Sequence, residues 1–155
     1  MEDGFIMNVD VSGFEQFKRH LEELRDNGID ELCRELAKEL AARLLAKVIK
    51  RTPVGDYNSE KVGGTLRRGW HIKQESGSDG VNSIKVNSYD CNYVVEVVNN
   101  VEYAVYVEYG HRTVNHTGWV NGQFMLTISV HEIEQIAPRL IERRLEEKIR
   151  KALNG

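Results

Sequence analysis

The feature that most constrains the fold of this chain is an apolar stripe at helical spacing between residues 30 and 50. Large apolar residues recur there every three or four positions, which places them on one side of a helix. The stripe consists of Cys33, Leu36, Leu40, Leu44 and Val48, widened by Ala37, Ala41 and Leu45. Asp30 can cap the start of this helix, and Thr52-Pro53 ends it, because the residue before a proline avoids the helical region. The stripe has to be buried, so we expect one long helix with Leu40 and Leu44 in the core beneath a sheet.

Helical patterns also precede and follow this segment. Ser12 and Glu15 fit a capping box at the start of a helix to about residue 26, which Asn27-Gly28 would end. Residues 123–153 are helical in pattern again. Pro138 lies inside that segment, where it would begin a new helix or kink a continuous one.

The middle of the chain is typical of short strands. Apolar and polar residues alternate at 70–74, and valine-rich stretches occupy 81–87 and 91–99. Residues 103–110 fit either a strand or a short helix, and we favour a helix that Gly110 ends. The order of helices, strands and helices predicts an α+β fold. In it, a small antiparallel β-sheet of three to four strands is packed by a long N-terminal helix and a C-terminal helix.

Two polar, glycine-containing stretches, residues 53–64 and 111–122, are predicted to be exposed loops. Structureless loops of about 12 residues in a compact domain are usually functional or disordered. We expect both to be mobile in a free subunit and to become ordered against a neighbouring molecule.

Composition excludes several classes of protein. The chain has 155 residues with 21 Lys+Arg and 24 Asp+Glu, and its pI of about 6.0 is low for a general nucleic-acid binder. No apolar run approaches the roughly 18 residues of a membrane helix. The acidic start Met1-Glu2-Asp3 differs from a signal peptide, so we expect no export. Cys33 and Cys91 form no CxxC pair, so neither a disulfide framework nor a zinc ribbon is expected.

Charge is unevenly distributed along the chain. Residues 86–111 contain no Lys or Arg but include Asp90, Glu96, Glu102 and Glu108, and basic segments lie on both sides. This acidic block is either a solvated face or a surface that complements the charge of another subunit.

The search for catalytic groups gives no constellation. His111, Asn115 and His116 share one predicted loop, but the flanking pattern of a histidine–asparagine–histidine nuclease is absent, so solvated histidines are the favoured interpretation. His131-Glu132 begins a metalloprotease-like run, but Gln135 stands where the second histidine belongs. We therefore predict a protein that is not an enzyme, with no catalytic, cofactor-binding or metal-binding residues.

Three segments nevertheless occur together in a familiar order. They are Arg51–Val54 followed by Gly64–Trp70, then Tyr103–Gly110, then Gly118–Leu126. Over residues 30–150 the chain resembles the phage tail-component family, whose members are also described as neck, head–tail connector or tail-completion proteins. The residues that carry the assembly signature of the family are Thr65, Leu66, Arg67, Arg68, Tyr103, Ala104, Tyr106, Glu108 and Gly110.

The resemblance implies a structural protein of a phage or prophage virion, located at the head–tail junction and in the host cytoplasm during assembly. It implies one domain, with residues 1–28 as a helical extension and 29–155 as the tail-component core. The partners would be further copies of the chain in a ring, expected to be a hexamer, and the neighbouring head-completion or portal-adaptor and tail terminator or tail-tube proteins.

Within such a ring, DNA would pass without sequence-specific binding, and neither a membrane nor a cofactor would be involved. The acidic block is a candidate for the channel lining or a subunit contact, because carboxylates do not bind phosphate. The alternative function is a small nucleic-acid-processing or metal-dependent enzyme of a mobile element, since Arg67–Lys73 interleaves basic and aromatic residues.

The signature helix carries a further expectation. It should turn Tyr103, Tyr106 and Val107 inward, and Gly110 should end it with a positive φ. Glu108 would then lie on another face, where it either pairs with Arg67 or Arg68, of the same chain or of a neighbouring subunit, or remains exposed without a partner.

Overall fold

Two long helical segments form the frame of the protein. The computed structural model describes residues 12–55, 63–74, 84–89 and 92–154. The described helices are α1 (Ser12–Glu23), α2 (Ile29–Arg51), α3 (Thr65–Arg68), α4 (Ala104–Tyr109) and α5 (Met125–Asn154). The long helix predicted from the apolar stripe is therefore confirmed as α2. The C-terminal segment is one helix that continues through Pro138.

The predicted break at Asn27-Gly28 is wrong. Gly28 has φ −68° and ψ −31°, which is right-handed helix and not the left-handed conformation of a helix-ending glycine. The chain instead forms a π-helical segment, Leu24–Gly28, in which Ile29 N–H donates to the Leu24 carbonyl. Helices α1 and α2 are thus joined without a turn.

Asp30 does not act as the predicted helix cap. Its carboxylate accepts hydrogen bonds from Arg34 Nε at 2.8 Å and from the Tyr93 hydroxyl at 2.7 Å. The Arg34 guanidinium, followed by Tyr93, holds the pKa of Asp30 below its usual value. The bond to the carboxylate raises the pKa of Tyr93 to about 12, because it stabilises the protonated phenol. Asp30 thereby connects α2 to the strand that contains Tyr93.

Helices α2 and α5 pack antiparallel along their lengths. Val48 and Met125, both fully buried, meet in one cluster, while Leu36 meets Leu140 in another. The end of α2 therefore lies beside the start of α5, and the start of α2 lies beside a later part of α5. Leu40, expected beneath the strands, is only partly buried and packs with the second cluster between the helices.

Ion pairs flank this helix pair. Lys47 Nζ and Arg51 Nη2 each bind one carboxylate oxygen of Glu132, at 2.6 and 2.7 Å. The hydrogen bond from Lys47, and then that from Arg51, lowers the pKa of Glu132. Glu39 likewise pairs with two arginines. The hydrogen bond from Arg43, and to a smaller extent that from Arg144, lowers the pKa of Glu39. These contacts fix how α5 lies along α2.

The strands are shorter and paired differently from the prediction. Those described are β1 (Trp70–Ile72), β2 (Asn87–Tyr89), β3 (Asn92–Val94), β4 (Val97–Asn99), β5 (Gly110–Arg112) and β6 (Trp119–Asn121). They form three antiparallel pairs, β1–β4, β2–β3 and β5–β6, and not the single sheet of three to four strands that we expected.

A single sheet does not form because the two arms of the β2–β3 hairpin separate beyond their paired residues. At its open end β4 pairs with one edge of β1, while Lys85 N–H donates to the Lys73 carbonyl on the other side at 3.1 Å. The segment 70–74 therefore lies between the two arms: β4 pairs with all three residues of β1, while an isolated bridge joins Gln74 to Ile84 on the other side. Helix α2 covers β1 and β4 through Ala41 and Leu45, as expected of the long helix.

The predicted loop at 111–122 is in fact a hairpin. Strands β5 and β6 pair, and Thr113 closes the turn: its N–H donates to the Gly118 carbonyl at 3.0 Å, and Gly118 N–H donates to its hydroxyl at 2.9 Å. Of the other predicted loop, residues 56–62 lie outside the described residues, as do residues 81–83 of the second predicted strand.

Candidate functional site

Thr52 is the centre of the first signature segment. It is fully buried at the end of α2. Its hydroxyl donates to the Val48 carbonyl at 2.6 Å and accepts from Trp70 Nε1 at 2.8 Å. Its carbonyl accepts from Arg67 Nε and Nη2 at 3.0 and 2.6 Å. One threonine thus binds α2 to α3 and β1, which explains why a threonine precedes the proline that ends the helix.

The α3 turn is held from the other side by Asn99 at the end of β4. Its amide donates to the Leu66 carbonyl at 2.8 Å, and its side-chain oxygen accepts from Val101 N–H at 3.0 Å. Leu66 itself is buried in the same cluster as Trp70. Thr65 and Arg68 are exposed, and Arg68 Nη1 donates to the Gly63 carbonyl at 3.2 Å.

Glu108 lies inside the protein and not on its surface. Only 6% of it is exposed, and its carboxylate accepts from the N–H groups of Leu126 and Thr127, both at 2.9 Å. The Thr127 hydroxyl donates to it as well, at 2.8 Å. Glu108 therefore caps the first turn of α5 from another helix.

Both expectations for Glu108 are thus wrong, because Arg67 binds the Thr52 carbonyl and Glu108 is buried against α5. The positive end of a helix and its unpaired N–H groups satisfy a carboxylate without a cation. The sequence contained a signal for this capping role. Gln123 and Phe124 directly precede α5, and neither residue type is a good helix cap, so the cap has to come from elsewhere in the fold.

The inward orientation predicted for two tyrosines is also wrong. Tyr103 and Tyr106 are 46% and 59% exposed, whereas Ala104 and Val107 pack against the main cluster. The helix itself and the positive φ of Gly110, 87°, are confirmed. Helix α4 thus faces inward through two small apolar residues and Glu108, and leaves its tyrosines outside.

Further exposed apolar side chains lie on α4, on β6 and just before α5, and together with the two tyrosines this set is here named the aromatic surface. It comprises Tyr103, Val105, Tyr106, Tyr109, Trp119, Val120 and Phe124. The Tyr109 and Phe124 rings meet edge to face with their centroids 6.5 Å apart. Tyrosine and tryptophan are enriched in interfaces, so a concentration of exposed aromatic side chains in one part of a chain is typical of an interaction site.

The histidines considered for metal binding occupy the hairpin and α5 separately. His111 packs against the Tyr106 ring, Asn115 accepts a hydrogen bond from the Thr113 hydroxyl at 2.7 Å, and His116 is exposed. His131 Nδ1 lies 3.6 Å from Glu134 Oε2 on the surface of α5. Within the part of the chain that the structure describes, no group of three potential metal ligands lies together.

A test of the Glu108 cap is its replacement by alanine. Removing a carboxylate that accepts three hydrogen bonds leaves two helix N–H groups unsatisfied, so we expect the free energy of unfolding to fall by about 2 kcal/mol. Urea unfolding monitored by circular dichroism measures this. Glu102→Ala, an exposed carboxylate just before α4, is the matched control and should change stability by less than about 0.5 kcal/mol. Equal effects of the two changes would contradict the capping role.

The fold and the site define a small α+β protein in which Arg67 and Glu108 of the signature hold separate elements together, while Tyr103 and Tyr106 lie outside. The chain belongs to the HK97-gp10-like family: the family model described as "Bacteriophage HK97-gp10, putative tail-component" matches residues 15–110. This confirms the family identified from the sequence and indicates a structural protein of a phage virion. No curated protein and no solved structure gives a significant match.

The matched range begins inside α1, includes α2 to α4 and ends at Gly110, the first residue of β5, so the rest of the β5–β6 hairpin and α5 lie beyond it. The signature residues from Thr65 to Gly110 all lie within it. Among the described residues, no helix has the length and apolar content needed to cross a membrane.

Proposed function

We propose that the protein is a subunit of the phage head–tail junction, a neck or tail-completion protein that assembles as a ring around the DNA channel. A hexamer is the expected size, with head-completion or portal-adaptor proteins and tail terminator or tail-tube proteins as neighbours. Family membership supports a structural role in the virion, and the exposed aromatic surface is the observation that supports assembly into a ring.

The aromatic surface has the composition of a subunit contact. Each large aromatic side chain can bury about 150–250 Å², and a standard interface buries about 800 Å² on each partner. Four aromatic residues of the surface are about half exposed or more, Tyr103, Tyr106, Tyr109 and Trp119. Their burial against a neighbour would supply much of that area.

The acidic block is a poorer candidate for a contact or a channel lining. Glu96 pairs with Lys73, and Glu108 is buried as a helix cap. Glu102 is exposed, and Asp90 lies outside the described residues. Because the described carboxylates do not form one acidic face, we assign the subunit contact to the aromatic surface.

Light scattering over a wide range of protein concentration, with electron microscopy of the particles, tests this proposal. We expect a closed ring at high concentration. The double change Tyr106→Ser and Tyr109→Ser should weaken assembly at least about tenfold, since truncated aromatic anchors dominate interface energies. Tyr89→Ser, a tyrosine that is 67% exposed on β2, is the matched control and should assemble normally.

A wild-type chain that remains monomeric at every concentration, and is missing from purified phage particles, would contradict the proposed function. Retained helix content in the double variant, measured by circular dichroism, shows that lost assembly does not result from unfolding.

A further inference from the structure

Strand β1 has one edge that no other described strand covers along residues 70–72. Strand β4 pairs with the opposite edge, and Lys73 N–H donates to the Glu96 carbonyl on that side at 3.0 Å. Because the N–H groups of successive residues in a strand face alternate edges, those of Trp70 and Ile72 face the uncovered edge. Among the described residues, no hydrogen bond is recorded from either of these two N–H groups.

A groove of about 590 Å³ runs along this edge. Trp70 and Ile72 are 8% and 9% exposed and pack towards α2, so their unpaired N–H groups border a space with apolar walls. Unpaired backbone groups at a sheet edge are the template on which a further strand is added, and such groups are costly to leave without a partner beside apolar walls. The groove is lined by residues 70–74, Ile84, and Ala42 and Leu45 of α2.

One segment outside the described residues has the sequence of a matching strand. Within residues 5–11, every second position is apolar, namely Phe5, Met7, Val9 and Val11. This alternation, with β-branched residues among the apolar ones, is typical of a strand with one apolar face. Residues 56–62 and 75–83, the other stretches of more than two residues outside the described part between Ser12 and Asn154, have no such alternation.

Residues 5–11 cannot reach the β1 edge of their own chain. They precede Ser12, where α1 begins, and α1, the π-helical segment and α2 follow one another without a turn. The helical path from Ser12 to Ala42 in the groove is about 40–45 Å at a rise of 1.5 Å per residue. Helix α1 also lies against the far end of α5, where His20 and Ala152 line one groove. Residues 5–11 span at most about 25 Å when fully extended, so the edge that they cover belongs to another copy.

We propose that residues 5–11 of one copy add a strand to the uncovered edge of β1 in the next copy. The added strand is antiparallel, as is every described strand pair, with Asn8 opposite His71. The alternation then turns Met7 and Val9 towards the groove beside α2. This inference rests on the proposed ring and names one connection between its subunits. Two different surfaces meet in this contact, and such a contact closes into a ring when its rotation permits.

Cross-linking of the whole chain tests this contact. In the proposed pairing, the strands exchange no hydrogen bonds at His71, and the Cα atoms of such opposing residues lie about 4.5 Å apart, which a disulfide spans. The native thiols are first removed by Cys33→Ala and Cys91→Ala. Adding both Asn8→Cys and His71→Cys should then give, on oxidation, a ladder of dimers, trimers and larger species in non-reducing electrophoresis. Each single-cysteine chain is the matched control, because one thiol per chain allows dimers at most.

Proline substitutions give an independent result. In the proposed pairing Val9 N–H donates to β1, whereas Asn8 N–H points away from it. Val9→Pro should therefore raise the concentration for half-assembly about tenfold, measured by light scattering. Asn8→Pro is the matched control in the same segment and should assemble like wild type, because an edge strand tolerates proline where the N–H faces solvent. Both changes precede α1, so helix content measured by circular dichroism should stay the same.

The outcomes separate this inference from the proposed function. Rings of the cysteine-free chain, together with a double-cysteine chain that forms nothing beyond dimers, would overturn the strand addition and leave the ring intact. A disulfide between positions 8 and 71 within one monomer would overturn the exchange between copies. Equal assembly of Val9→Pro and Asn8→Pro would overturn the pairing. A wild-type chain that never self-associates would overturn both proposals.

Discussion

Replacing Trp70 with alanine is expected to lower the free energy of unfolding by about 3–5 kcal/mol, the usual loss for a buried tryptophan. Trp70 is 8% exposed and packs with Val48, Leu66 and Met125. It also donates the Nε1 hydrogen bond that Thr52 accepts at 2.8 Å. The change therefore creates a cavity at the point where α2, α3, β1 and α5 meet, and leaves the buried hydroxyl with fewer partners.

Two further variants separate packing from hydrogen bonding at this position. Trp70→Phe keeps most of the apolar contact but loses the Nε1 donor, so we expect a smaller loss of about 1–2 kcal/mol. Thr52→Val removes the acceptor and leaves the Trp70 N–H unsatisfied, with an expected loss of similar size. Urea unfolding of the three variants measures the series. A Trp70→Ala protein as stable as Trp70→Phe would show that the cluster is not the main core.

Replacing Gly110 with alanine is the second change from which we expect a large effect, about 3 kcal/mol or more. Gly110 has φ 87° and ψ 172°, a conformation that is almost exclusive to glycine and costs other residues about 1–3 kcal/mol. A Cβ there would also lie 2.4 Å from the Val120 carbonyl oxygen and 2.8 Å from Gly122 N. Both are backbone atoms, so the hairpin would have to move.

That movement would reach the helix cap as well. Phe124 N–H donates to the Glu108 carbonyl at 3.0 Å, next to the point where the strands separate. Gly118→Ala is the matched control in the same hairpin, because its Cβ would meet no atom closer than Thr113 Cγ2 at 3.3 Å. We expect the control to stay within about 1 kcal/mol of wild type in thermal unfolding. A Gly110→Ala protein equal to this control would contradict the strained junction.

The helical frame could be predicted from the sequence because its cause is local. The apolar stripe of α2 repeats over about four turns, and the Thr52-Pro53 step ends the helix whatever packs against it. The same holds for α5, whose pattern continues through Pro138. The family could also be identified, because its signature is a set of residue types in a fixed order and does not require knowledge of their contacts.

The orientation of α4 could not be predicted in the same way. It has six residues, fewer than two turns, so its apolar pattern does not select one face. The orientation of α4 instead depends on the elements packed against it. The start of α5 binds the Glu108 carboxylate, and this places Tyr106 on the outside. The sequence suggested the reverse, because an isolated carboxylate is costly to bury and a tyrosine is not.

Strand pairing shows the same distinction. Alternation and turn residues act over a few positions, so the sequence alone was enough to predict short antiparallel strands in the middle of the chain. Long-range packing, in contrast, places β1 between the arms of the following hairpin and makes residues 110–121 a separate hairpin. Pairing joins residues far apart in the chain, so its free energy depends on what the strands pack against and not on any local pattern.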